Sequence, residues 1–115
     1  MKRGTIVLVR FPFTDYSSSK LRPAVIISQD SDREVCVAFI SSVIPRPLEQ
    51  TDLVLRESDE GFKETHLKRD SVFRMKKIAT LDTKIIVGTL GAVTPKIQKE
   101  LDRKLLVALG LLQID

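Results

Sequence analysis

Three short runs rich in β-branched residues lie before residue 41, and the breaks between them limit what the chain can fold into. They are Thr5-Ile-Val-Leu-Val9, Ala24-Val-Ile-Ile-Ser28 and Val35-Cys-Val-Ala-Phe-Ile40. The turn-rich stretch Phe11-Pro-Phe-Thr-Asp-Tyr-Ser-Ser-Ser19 follows the first run, and the polar turn Gln29-Asp-Ser-Asp-Arg33 follows the second. Branching at Cβ favours the extended backbone, and runs spaced in this way predict a meander of antiparallel strands. Beyond the Pro-bearing break Ile44-Pro-Arg-Pro-Leu48, Thr51-Asp-Leu-Val-Leu55 predicts a fourth strand. Ser71-Val-Phe-Arg74 predicts a fifth and Lys84-Ile-Ile-Val-Gly-Thr-Leu90 a sixth.

The end of the chain changes character. Thr94 is a good N-cap, and Pro95 suits the first helical position, where its missing N–H costs nothing. Ile97, Leu101, Leu105, Ala108 and Leu112 then recur at helical spacing, with Lys96, Lys99, Glu100, Arg103 and Lys104 between them. That pattern predicts an amphipathic helix packed on the sheet and ended near Gly110. With no internal repeat and no long linker, the expected class is α+β. The architecture is a small antiparallel β-barrel with a C-terminal helix, one domain over residues 1–115.

Composition narrows the chemistry. A chain of 115 residues matches one ordinary domain, and a hydrophobic fraction of 43% is ample for a core. The single cysteine, Cys36, excludes a disulfide framework and a four-thiolate zinc site. With His66 as the only histidine, a metal site would need a carboxylate cluster, and none is visible. Neither a metal nor another cofactor is expected. The apolar run Thr5–Val9 is too short for a signal peptide, and no segment approaches the length of a membrane span. The expected setting is soluble, reducing and cytoplasmic, with no membrane partner.

Charge is unevenly placed. The net charge is +4. Glu49 to Glu60 holds five acids against one base, whereas Lys63 to Lys77 holds six bases against two acids. A solvated loop face accounts for such a run, and so does an electrostatic footprint for phosphates. Phe73, together with Phe11 and Phe13 in the first long loop, has the ring chemistry to stack on bases. His66 reads as a surface residue and as a general-acid candidate. Cys36, set among Val35, Val37 and Ala38, reads as packing and not as a nucleophile.

Three segments carry a family resemblance. They are Gly4-Thr-Ile-Val-Leu-Val-Arg-Phe-Pro-Phe-Thr-Asp15, Lys20-Leu-Arg-Pro-Ala-Val-Ile-Ile-Ser28, and Leu67-Lys-Arg-Asp-Ser-Val-Phe-Arg-Met-Lys-Lys-Ile-Ala-Thr-Leu-Asp82 continuing to Gly88-Thr-Leu-Gly91. In this order and spacing the chain resembles the MazF/PemK-like toxins of toxin–antitoxin systems, from Gly4 through the C-terminal helix. The resemblance implies an SH3-like antiparallel barrel, a homodimer, and a metal-independent endoribonuclease. Such an enzyme cuts single-stranded mRNA at short sequences, stops translation and growth, and is held inactive by a cognate antitoxin with an acidic C-terminal tail.

The implied reaction is attack of a ribose 2′-OH on the adjacent phosphorus. It needs a base, fixed donors for the charge on the phosphorane, and an acid for the leaving 5′-oxygen. Carried over by resemblance, Arg22 is the phosphate-facing catalytic arginine. Ser41 or Ser42 fills the hydroxyl position, and Arg74 is a general acid or phosphate stabiliser. Phe11, Phe13, Lys20, Ser42, Lys68, Arg69, Lys76 and Lys77 are the expected RNA-binding residues. Lys76 stands where some members carry a general-base aspartate, so the base is open among Asp70, Asp15, Lys76 and Arg22. Two other readings remain at this level: an RNA- or DNA-binding relative without catalysis, and a gyrase-targeting poison acting through the C-terminal end.

Overall fold

The computed structural model describes residues 1–12, 19–29 and 31–113. The elements in chain order are β1 (Thr5–Pro12), β2 (Ser19–Ser28), β3 (Glu34–Ser41), β4 (Asp52–Leu55), α1 (Phe62–Thr65), β5 (Ser71–Asp82), β6 (Ile86–Ala92) and α2 (Pro95–Ala108). A single 3₁₀ turn, Thr83–Ile85, links β5 to β6. All six expected strands form, and every strand pair is antiparallel. Their order across the sheet is β4-β5-β3-β2-β1-β6.

The α+β class holds, but the sheet does not close into the expected barrel: β4 and β6 are its two edges. Helices stand where closure would occur, with α1 against β6 and α2 against β4 and β5. Covering an edge strand is an alternative to pairing it. The approach of α1 to β6 demands a glycine: a Cβ at Gly91 would stand 2.7 Å from the carbonyl oxygen of Thr65.

The β-branched runs are explained by a sheet buried on both faces. Side chains alternate along a strand, so successive residues enter different cores. Ile6, Val25, Ala38, Ile40, Phe73 and Met75 pack with Ile97 and Leu101 of α2 in one cluster. Val7, Val9, Ala24, Ile26, Val35, Val37 and Leu81 form the other. The helix begins as its sequence requires: Thr94 Oγ1 accepts the Ile97 N–H at 3.4 Å, and Pro95 is the first helical residue. It ends before Gly110, whose φ of +75° is left-handed.

Several elements differ from the sequence reading: β1 runs on to Pro12, β2 begins five residues early at Ser19, and Lys84 and Ile85 lie in the 3₁₀ turn and not in β6. α1 lies in the charged stretch without a periodic signal, and β5 runs on from Arg74 to Asp82. The long strand is irregular. Phe39 pairs with Arg74 while its neighbour Ala38 pairs with Ile78, so Met75, Lys76 and Lys77 bulge out of register. Met75 is buried in the helix-side core, and both lysines of the bulge are exposed.

Candidate functional site

The two-residue period of the strands sorts the candidate residues by face. On β2, Arg22 shares the face of Ala24 and Ile26, and on β3 Ser41 shares the face of Val37 and Phe39. The last β2–β3 pair is Ala24↔Phe39, and Arg22 and Ser41 continue that register by two residues. On β5, Arg74 is the direct partner of Phe39 and Val72 the partner of Ser41. Arg22, Ser41 and Arg74 therefore occupy neighbouring strands on one face, at the end where the second core gives way to solvent. Lys20, two residues before Arg22, extends the same face outward.

Each of the three has a defined environment. Arg22 is exposed, Ser41 half-buried, and the Arg74 side chain 26% exposed. Ser41 Oγ accepts the Val43 N–H at 3.0 Å, which orients the hydroxyl and leaves its proton to be donated. Arg74 Nε donates to Asp52 Oδ1 at 3.2 Å, and the Asp52 side chain is only 1% exposed. Asp52 is a residue the sequence reading missed. It sat in an acidic run, and only its pairing with Arg74 across β4 and β5 reveals its position.

The remaining candidates lie elsewhere. Ser42 follows Ser41 by one residue and so faces the other side, where it lines a cleft of about 480 Å³ with Lys68, Arg69 and Ser71. Leu8, Leu21, Pro23, Leu67 and Leu90 supply the apolar part of that cleft, and His66 joins its polar part. His66 is exposed and caps α1 with a left-handed φ of 57°. The basic residues thus fall into two groups. Lys20, Arg22 and Arg74 share one face of the sheet, and Lys68 and Arg69 line the cleft on the other. Phe11 pairs with Lys20 across β1 and β2, while Phe13 and Asp15 lie outside the described residues. Phe73 is fully buried between β3 and β4, so it is core and not a stacking platform.

The open question of the base is narrowed by geometry. Asp70 accepts the Glu57 N–H at 2.8 Å and an Arg56 N–H at 3.3 Å, so it pins the loop after β4. Asp52 is buried against Arg74. Cys36 is part-buried opposite Thr80, and burial pushes its thiol above the ordinary range, offset in part by a hydrogen bond with Thr80. That favours the thiol over the thiolate at neutral pH, which makes Cys36 a poor nucleophile. Among the described residues, no group of three His, Cys, Asp or Glu is arranged to hold a metal ion, and no helix is long and apolar enough to cross a membrane.

Solved structures share this architecture. An endoribonuclease in complex with its cognate antitoxin, from a mycobacterial species, superimposes with a TM-score of 0.71 at 21% identity over 99% of each chain. Toxin MazF-mt6 of Mycobacterium tuberculosis gives 0.72 at 17% identity over 95% of this chain and 99% of its own. A MazE–MazF structure from Deinococcus radiodurans gives 0.75 at 16% identity over 97% of each. At such identities the likeness is one of fold. Sequence supplies the family, because residues 2–109 match the model of the PemK-like, MazF-like toxins. The chain belongs to that family of toxins of type II toxin–antitoxin systems.

Proposed function

We propose that the chain is a metal-independent endoribonuclease that cuts single-stranded mRNA at short sequences and so stops translation and growth. The observation that carries this reading is the grouping of Arg22, Ser41 and Arg74 on adjacent strands at the exposed end of one sheet face, in a chain of the toxin family. A phosphate over that face meets two guanidinium groups and a hydroxyl. Arginine's planar fork binds two phosphate oxygens at once, and fixed donors of this kind stabilise charge as it develops on phosphorus. The ribose 2′-oxygen bonds to phosphorus as its proton passes to a base, the bond to the 5′-oxygen breaks as that oxygen takes up a proton, and the products are a 2′,3′-cyclic phosphate and a 5′-OH. Lys68 and Arg69 on the opposite face hold flanking phosphates.

The fold neighbour named as an endoribonuclease with its cognate antitoxin supports the partner too. An antitoxin with an acidic tail suits the basic residues at 63–77, and we place the toxin in the cytoplasm as a two-fold homodimer, which widens a shallow groove. A second reading, RNA binding without cleavage, is favoured by how the nearby carboxylates are engaged: Asp70 is tied to the loop after β4 and Asp52 is buried on Arg74. The resemblance adds that Lys76 takes the place of the base.

The test is incubation of purified protein with a mixed single-stranded RNA in EDTA, with product ends mapped. Cleavage that leaves a 5′-OH, and that stops when the ribose at the cut site is 2′-deoxy, supports the nuclease. Binding without cleavage supports the second reading. In either case Lys76→Ala is expected to weaken RNA binding and to reduce the salt slope by about one phosphate contact. Binding curves at several salt concentrations check this, and an unchanged slope removes Lys76 from the interface.

A further inference from the structure

We propose that Asp52 is a positioning residue, which fixes the guanidinium of Arg74 for the scissile phosphate. This rests on the reading that Arg74 faces that phosphate. The geometry is specific. Asp52 and Arg74 are direct partners across β4 and β5. Asp52 Oδ1 accepts from Arg74 Nε at 3.2 Å, and Oδ2 accepts from the Glu49 N–H at 3.0 Å. The Asp52 N–H donates back to the Glu49 carbonyl at 3.0 Å. Both carboxylate oxygens are engaged, so the group cannot turn.

The turn that holds Asp52 is itself braced. Lys104 Nζ of α2 donates to the Gln50 carbonyl at 3.0 Å, and the Met75 N–H of β5 donates to the Thr51 carbonyl at 3.2 Å. The two residues before Asp52 are therefore tied to the helix and to the strand that carries Arg74. A guanidinium has five N–H donors in a planar fork. With Nε held by a carboxylate that is almost wholly buried, the plane is set, and Nη1 and Nη2 carry the donors left for a ligand. A long side chain ordered before the substrate arrives loses less freedom on binding, which is the general advantage of preorganisation. The direction of the pair also assigns the role of Arg74. A guanidinium locked onto an anion serves as a fixed cation for the phosphorane.

The experiment is a double-mutant cycle in RNA cleavage at saturating substrate, with melting curves on every variant. Arg74→Ala is expected to lower kcat about a hundredfold. Asp52→Ala is expected to lower it about tenfold with KM changed less than about twofold, because the cation remains but is misplaced. The double variant should then match Arg74→Ala within about twofold. Asp52→Asn covers the case in which the alanine variant does not fold. It keeps the volume, offers a single acceptor oxygen, and should also lower kcat. If the wild type binds RNA without cutting, the same cycle is read in Kd. Wild-type behaviour of the Asp52 variants beside an impaired Arg74→Ala overturns the proposal alone. So does an Asp52→Ala loss of equal size with and without Arg74. An Arg74→Ala variant that handles RNA as the wild type does removes the proposal together with the reading beneath it.

Discussion

Arg22→Ala is expected to lower RNA cleavage by roughly 10²–10³-fold and to abolish growth toxicity, with the fold intact. The size follows from what the side chain offers. A bidentate donor aimed at a phosphate oxygen acts where charge develops, and its loss is felt in the transition state more than in the bound substrate. Arg22 is exposed, whereas Ala24, Val25 and Ile26 beyond it carry the core contacts of β2. Truncation at Arg22 therefore removes little packing. Pro23 beside it restricts the backbone, so Arg22 stays extended after the change. The measurement is single-turnover cleavage of one RNA by wild type and variant, with unfolding curves in parallel. A variant of full activity would move the active site away from this end of the sheet.

How much of this was legible in the sequence depends on whether the signal was local. The strands announced themselves through β-branched runs, and α2 through its Thr94-Pro95 start and its left-handed stop at Gly110. Arg22 and Arg74 stood out as candidates because each sits in a motif. The two hydroxyls at the end of β3 were left as alternatives, and only the strand period separates them. Ser41 falls on the face of Arg74's partner Phe39, and Ser42 lines the opposite cleft.

Asp52 was not readable. Its burial depends on a partner 22 residues away, across a connection between β4 and β5 too long and irregular to fix their register from sequence. The continuation of β5 was hidden for a related reason. The bulge at Met75, Lys76 and Lys77 breaks the alternation that would have extended the strand. Closure of the barrel was expected from the succession of short strands and from the resemblance. Edge covering by α1 and α2 takes its place, and α1 has four residues, too few to leave a periodic trace.

Phe73→Ala is expected to cost about 3–5 kcal/mol of stability, the range for truncating a buried aromatic residue. Phe73 is fully buried, pairs with Ile40 on β3 and Leu53 on β4, and lies in the core that holds Ile97 and Leu101 of α2. Removing the ring leaves a cavity where β3, β4 and α2 meet. Domains of this size hold about 5–15 kcal/mol in total, so a large share of stability goes with one side chain. In urea the midpoint should fall with the slope unchanged, because the surface exposed on unfolding is nearly the same. Its neighbour in sequence, Arg74, points to the other face, where the proposed site lies. Both substitutions should lower activity in a cell, for opposite reasons. Arg74→Ala leaves a folded protein that handles phosphate poorly. Phe73→Ala leaves fewer folded molecules, each with its arginines and Ser41 in place. Activity per folded molecule, with the folded fraction taken from the urea curve, separates them: it should be near wild type for Phe73→Ala. An unchanged urea midpoint would mean that the centre of the helix-side core lies elsewhere.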